Sequence, residues 1–180
     1  MTGPRALGEP GEPRARPRAY LDIETAYDQS LTVVGIMRED AGMFQLHGRN
    51  ITAAAITGFL DGIGVLHTYN GHSFDLPRIK NELGLDLRKR HACRDLMRDC
   101  WRKKLMGGFK AVERQLGIAR ATDGVDGMMA MALWERWLEA DDAEALKLLL
   151  HYNREDVENL ALVRAKLDGE GYCESASNRP

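Results

Sequence analysis

Long apolar runs are missing from this 180-residue sequence. Runs such as residues 53–56 and 148–150 fall far short of the roughly 20 residues that a membrane-spanning helix needs. Nothing reads as a signal peptide either. Cysteine is scarce: Cys93, Cys100 and Cys173 are an odd number without a framework spacing. A disulfide-stapled secreted fold is therefore excluded, and reduced thiols in a cytoplasmic protein are expected. Charge of one sign is lacking as well. A net charge of −2 argues against a protein that grips nucleic acid by bulk electrostatics alone. Internal repeats and interior linkers are absent, so the length suits one domain with a proper core. Proline is rare except at residues 1–17, which hold four of the six prolines, three glycines and three arginines. That stretch reads as a disordered N-terminal arm, and residues 169–180 as a flexible tail. The domain is left with residues 18–168.

Within the domain the order of elements is informative. Arg18–Thr25, Leu31–Arg38 and residues 43–47 read as three strands joined by short turns, hence antiparallel neighbours. Asn50 is a candidate N-cap for a helix over 51–60, and 65–69 is a short fourth strand. A helix over 74–83 ends at Gly84, with Pro77 tolerable in its first turn. Helical patterns then cover 96–105, 110–116, 127–140 and 143–167. The order predicts an α/β fold: a mixed sheet with helices on both faces.

One strand breaks its own logic. In "AYLDIETA", residues 19–26, two carboxylates stand inside an apolar run, and a strand's period of two points Asp22 and Glu24 the same way. Like charges side by side are unfavourable, and burial makes them more so. Two further acids sit in suggestive places. "TYNGHSFDLP" puts Asp75 in the first turn of a helix after an Asn-Gly turn. "HYNREDVENL" puts Tyr152 and Asp156 one turn apart on a shared helical face. Taken singly, Asp75 is explained by a helix N-terminus and Asp156 by an exposed helical position. Their combination is what points to a site.

These three segments resemble the motifs of the DEDD superfamily of 3′–5′ exonucleases: "LDIET" the first, "YNGHSFDLP" the second and "YNREDV" the third. Within it the sequence is most similar to the YprB-like group of exonucleases, through "RDLMRDCWRKKL", "KAVERQLGIAR" and "TDGVDG". The resemblance implies a ribonuclease-H-like fold, with three antiparallel strands followed by parallel ones. It also implies that Asp22, Glu24, Asp75 and Asp156 hold two divalent ions, Mg²⁺ or Mn²⁺, with Asp22 bridging them. The activity implied is hydrolysis of DNA or RNA from the 3′ end to 5′-mononucleotides. Glu24 would stand near the terminal 3′-hydroxyl, and Tyr152 would orient or help deprotonate the attacking water. A module of the same fold that binds nucleic acid or protein without cleaving is the alternative.

His151 also fits a related spacing, His-x-x-x-x-Asp. Adjacent helical residues point about 100° apart, so only one of the two can serve the water, and Tyr152 is preferred. Between Arg88 and Arg120 eleven Lys and Arg face three acids, an excess of eight positive charges suited to phosphates, or to a solvated helix face. Lys110, beside Gly107-Gly108, is the leading candidate for a phosphate contact, and Asn70 and Phe74 for contacts with the terminal nucleotide. His91, Cys93 and Cys100 lack the paired spacing and fourth ligand of a zinc site. Trp101, Trp134, Trp137 and the methionines at 128, 129 and 131 read as core.

Overall fold

The computed structural model describes residues 15–169. Most of the arm at 1–17 and of the tail at 169–180 lies outside the described residues. Of the arm, residues 15–17 run without regular structure, and the Pro17 carbonyl accepts a hydrogen bond from Gly64 N–H at 2.8 Å.

Strands β1 (Arg18–Thr25), β2 (Leu31–Arg38) and β3 (Gly42–His47) are antiparallel neighbours. β4 (Val65–Thr68) and β5 (Ala92–Asp95) add on the far side of β1, each parallel to the strand before it. The sheet order is β3-β2-β1-β4-β5, the mixed sheet that the sequence predicts. Among the described residues six α-helices accompany it: α1 (Ala53–Phe59), α2 (Asp75–Leu83), α3 (Leu96–Arg102), α4 (Phe109–Gln115), α5 (Gly127–Ala140) and α6 (Ala143–Asp168).

The alternation of β1 sorts the two layers. Ala19, Leu21 and Ile23 pack with Ile56, Leu60, Leu76 and Ile79 on the α1–α2 side. Tyr20 faces the other way, among Leu96, Cys100, Val112, Val157 and Leu160. Asp22 and Glu24 share Tyr20's face, so the strand period aims both at the α6 layer. A central strand covered on both sides is expected to be almost wholly apolar, and these acids are the exceptions. The β1–β2 ladder slips between Glu24 and Thr25, an irregularity of the kind that re-aims side chains beside sites.

α6 approaches β2 closely enough to require glycine at position 35. A Cβ there would lie 2.2 Å from Asn153 Oδ1 and 2.9 Å from Val157 Cγ2. Gly35→Ala is expected to destabilise the fold by about 1–3 kcal/mol, measured by urea unfolding. Wild-type stability in that variant would mean that α6 is free to shift.

Several local expectations are corrected. α1 starts at Ala53 and is capped by Thr52, whose hydroxyl accepts from Ala55 N–H at 3.2 Å. Asn50 instead closes a 3-10 turn, Gly48–Asn50. α3 ends at Arg102, three residues early, because Lys104 adopts a left-handed φ of 63°. β5 was not located in the sequence, being four residues long with Ala92 and Arg94 exposed. Trp134 is buried as expected, but Trp101 is 47% exposed. Met128 and Met129 are also exposed, because the buried face of α5 begins only at Ala130.

Candidate active site

β1 presents Asp22 and Glu24 on one face, and α6 brings Asp156 to them. Each of the three offers an oxygen within 4.8 Å of the others. Asp75 arrives from the first turn of α2, in the opposite layer. It stands outside that set of three, yet its charge acts on both Asp22 and Glu24. Glu24, Asp75 and Asp156 are buried; Asp22 is half-buried by residue surface, with its carboxylate enclosed by neighbouring protein atoms.

This is a strained arrangement. Burial, then repulsion from Asp156 and the other acids, holds Asp22 and Glu24 well above the ordinary carboxylate range. Burial likewise pushes Asp75 up to about 7, against the pull of the backbone N–H groups of Asp75 and Ile23. Asp156 rises to about 6, again by burial, with Arg120 opposing. Clustered carboxylate oxygens suit a hard divalent cation better than thiolate- or imidazole-seeking metals.

Asn153 holds Asp22 in place. Its Nδ2 donates to Asp22 Oδ2 at 3.0 Å and its Oδ1 accepts from Gln45 Nε2 at 3.0 Å. Gln45 in turn donates to the Leu150 carbonyl at 2.8 Å. Sequence reasoning passed over Asn153, although it lies three residues before Asp156 and hence on a neighbouring part of the same face.

Tyr152 is buried, and its hydroxyl helps to hold down the pKa of Asp156, one turn further on. Its ring lies 4.9 Å from Lys110 Nζ and 5.4 Å from Arg120 Cζ. Burial and then the nearby carboxylates raise its pKa, so the phenol keeps its proton. His151 is exposed and faces elsewhere, lining a separate hollow of about 490 Å³ with Gln45 and Trp137.

Arg120 belongs to the basic patch in the sequence, but its side chain is buried. Its Nη1 donates to both Glu113 oxygens, at 2.7 and 2.8 Å, and its Nη2 lies 2.6 Å from Asp156 Oδ1. Arg94 and Arg102 pair with Asp99 at 2.6 and 2.8 Å, though both remain exposed. The patch is thus smaller than its count. Lys110 and Arg114 do face solvent near the acids, in an open hollow of about 430 Å³ that ends on Tyr152 and Asp156. Phe74, at the start of α2, is 41% exposed. The backbone N–H of Asn70, a residue with φ of 60°, donates to Asp95 Oδ1 at 2.8 Å. Asp95 also caps α3, pinning the second-motif turn to β5, a role that its sequence context did not reveal. Cys93 on β5 and buried Cys100 on α3 belong to no metal cluster; among the described residues the acidic trio has that geometry. No described helix is long and apolar enough to cross a membrane.

Residues 19–168 match a family model described as RNase_H superfamily. No curated protein matches the sequence. Among solved structures, the chain is similar to the family B DNA polymerase from the hyperthermophilic archaeon Pyrobaculum calidifontis, with a TM-score of 0.64 and 18% identity. The likeness covers 88% of this chain and 25% of the polymerase, so the chain spans about a quarter of that protein's length. At that identity the likeness establishes the fold alone.

Proposed function

The chain belongs to the RNase_H superfamily, and on that premise we propose that it is a metal-dependent 3′–5′ exonuclease of the DEDD type, most similar to the YprB-like group. The substrate is the 3′ end of DNA or RNA and the product a 5′-mononucleotide. The observation that carries this reading is the convergence of Asp22, Glu24 and Asp156, from two motifs far apart in the sequence, to within 4.8 Å. Asp75 of the second motif is within electrostatic reach.

Asp22, Glu24, Asp75 and Asp156 would hold two Mg²⁺ or Mn²⁺ ions, which would supply activation of the attacking water and stabilisation of the leaving 3′-oxygen. The chain's own residues do the rest. Asn153 fixes the carboxylate of Asp22 by donating to its Oδ2 at 3.0 Å. Glu24, at the irregular end of β1, is the residue proposed to meet the terminal 3′-hydroxyl. Tyr152 orients the water: its raised pKa favours holding a proton over removing one. Lys110 and Arg114, which line the hollow with Tyr152 and Asp156, are proposed to take the phosphates, with Asn70 and Phe74 proposed at the terminal nucleotide.

One observation favours a silent binding module instead: Asp156 already has a cationic partner in Arg120. End-labelled DNA and RNA oligonucleotides with Mn²⁺, Mg²⁺ or EDTA separate the two. Stepwise shortening from a free 3′-hydroxyl, blocked by a 3′-phosphate and by EDTA, is expected. Rapid loss of circular single strands would mean an endonuclease, and intact oligonucleotides under every metal condition the silent module.

A further inference from the structure

Arg120 stands apart from the cations around it because it is fixed from several sides. Its side chain is 6% exposed. Glu113 on α4, itself fully buried, takes Nη1 through both oxygens and is braced in turn by Asn159 Nδ2 at 2.7 Å. Glu155, next to Asp156 on α6, lies 3.5 Å from Arg120 Nε. The same Glu155 accepts from the backbone N–H groups of Ala121 and Thr122 at 2.5 and 3.0 Å, and from the Thr122 hydroxyl. The loop carrying Arg120 is thereby fastened to the helix that carries Asp156. A surface arginine can swing away when another cation arrives; this one is held.

The acids of the site are therefore unequal. Asp22 is held by a neutral amide, Asn153. Asp156 meets a guanidinium at 2.6 Å. We propose that Arg120 is a positioning residue that acts as the resident counter-cation of Asp156, so that a divalent ion gains this carboxylate only in competition with it. The inference rests on the metal-dependent reading above. Added cation then enters first at the Asp22–Glu24 end, which feels Arg120 only at a distance, whereas Asp156 is in direct contact with it. The ion sharing Asp156 binds more weakly, because a divalent ion and the guanidinium repel each other across one carboxylate. Glu113 sets the strength of the competition, since it divides the guanidinium's charge with Asp156.

Mn²⁺ uptake by the full chain, followed by the electron paramagnetic resonance signal of the free ion at one fixed pH, tests this. Glu113→Gln keeps the acceptor oxygen for Asn159 and Arg120 but leaves Arg120's charge undivided. It is expected to weaken the last-filled Mn²⁺ site several-fold. Glu113→Gln combined with Arg120→Gln removes the competitor together with its buried partner, and is expected to tighten that site by about tenfold. A loss of packing alone cannot produce these opposite signs. Unchanged or weaker uptake in the folded double variant overturns the proposal. If the double variant does not fold, unchanged or tighter uptake in Glu113→Gln overturns it. No Mn²⁺ uptake by any of the proteins overturns the metal-dependent reading and this inference together, whereas wild-type uptake indifferent to both variants overturns this inference alone.

Discussion

Asp22→Asn is expected to remain folded and to lose cleavage of a 3′-hydroxyl oligonucleotide by at least about a hundredfold, the scale on which removing one charge-stabilising group acts. The fold survives because asparagine is isosteric and its amide oxygen still accepts from Asn153 Nδ2, while the β1–β2 ladder at position 22 is backbone only. Activity fails because the residue that faces both Glu24 and Asp156 no longer offers a charged oxygen. Glu24→Gln, Asp75→Asn and Asp156→Asn are expected to follow. Tyr152→Phe deletes only a hydroxyl and is expected to slow turnover by about a hundredfold, within the usual range for a positioned proton-handling group. His151→Ala, on the exposed face, is expected to be mild. Kinetics on one labelled substrate, with circular dichroism on each variant, decide these points. Full activity in Asp22→Asn would sink the metal-dependent reading, and the reverse ranking of Tyr152 and His151 would reassign the water's partner.

The sequence disclosed those parts of the site that depend on local periodicity. Asp22 and Glu24 follow from a strand's period of two, and Tyr152 and Asp156 from a helix's 3.6, so their shared faces could be inferred without coordinates. The bounds of β1 and β2 were legible for the same reason: both are apolar runs ended by turn residues. What stayed hidden depends on partners distant in the chain. Arg120 and Glu113 read as opposing counts in a basic region until α4 and α6 bring them together with Asn159. Asn153 is one polar residue among several in its motif, and only the contact with β1 across 131 positions distinguishes it. β5 was missed because an edge strand of four residues, half of them exposed, carries too little apolar pattern to register.

The stability of the metal-free protein is expected to fall as pH rises from about 5.5 to 8, and millimolar Mg²⁺ to remove that fall. The sign follows from the buried acids. Asp75 and Asp156 have folded pKa values of about 7 and 6, above the roughly 3.9 of an unfolded aspartate, and Asp22 and Glu24 are raised as well. A carboxyl that holds its proton more tightly when folded contributes stability that is full below the unfolded pKa. That contribution is lost as pH climbs through the folded one. For Asp75 alone the full gap is roughly 4 kcal/mol, of which about 2 kcal/mol is lost between pH 5.5 and 8, and for a domain of this size that corresponds to about 5 °C in Tm. His67 works in the opposite direction. Its folded pKa is lowered to about 4, chiefly by burial, so its neutral core position costs stability in acid and is fully tolerated above about 6.5. One histidine against four raised carboxyls leaves a net fall. A bound divalent cation neutralises the acids and binds the folded chain far better than the unfolded one, which raises Tm most where they are ionised. With the acids silenced, the slope of His67 remains, and Tm is then expected to rise slightly between pH 5.5 and 6.5. Asp22→Asn removes one member of the cluster. In EDTA at pH 8 it should melt at or above wild type, with a shallower pH dependence and a smaller gain from Mg²⁺. Thermal melts of both proteins across pH, with EDTA and with Mg²⁺, measure all of this. A variant less stable than wild type in EDTA at pH 8, yet equally stabilised by Mg²⁺, would make Asp22 a packing residue and place any cation elsewhere.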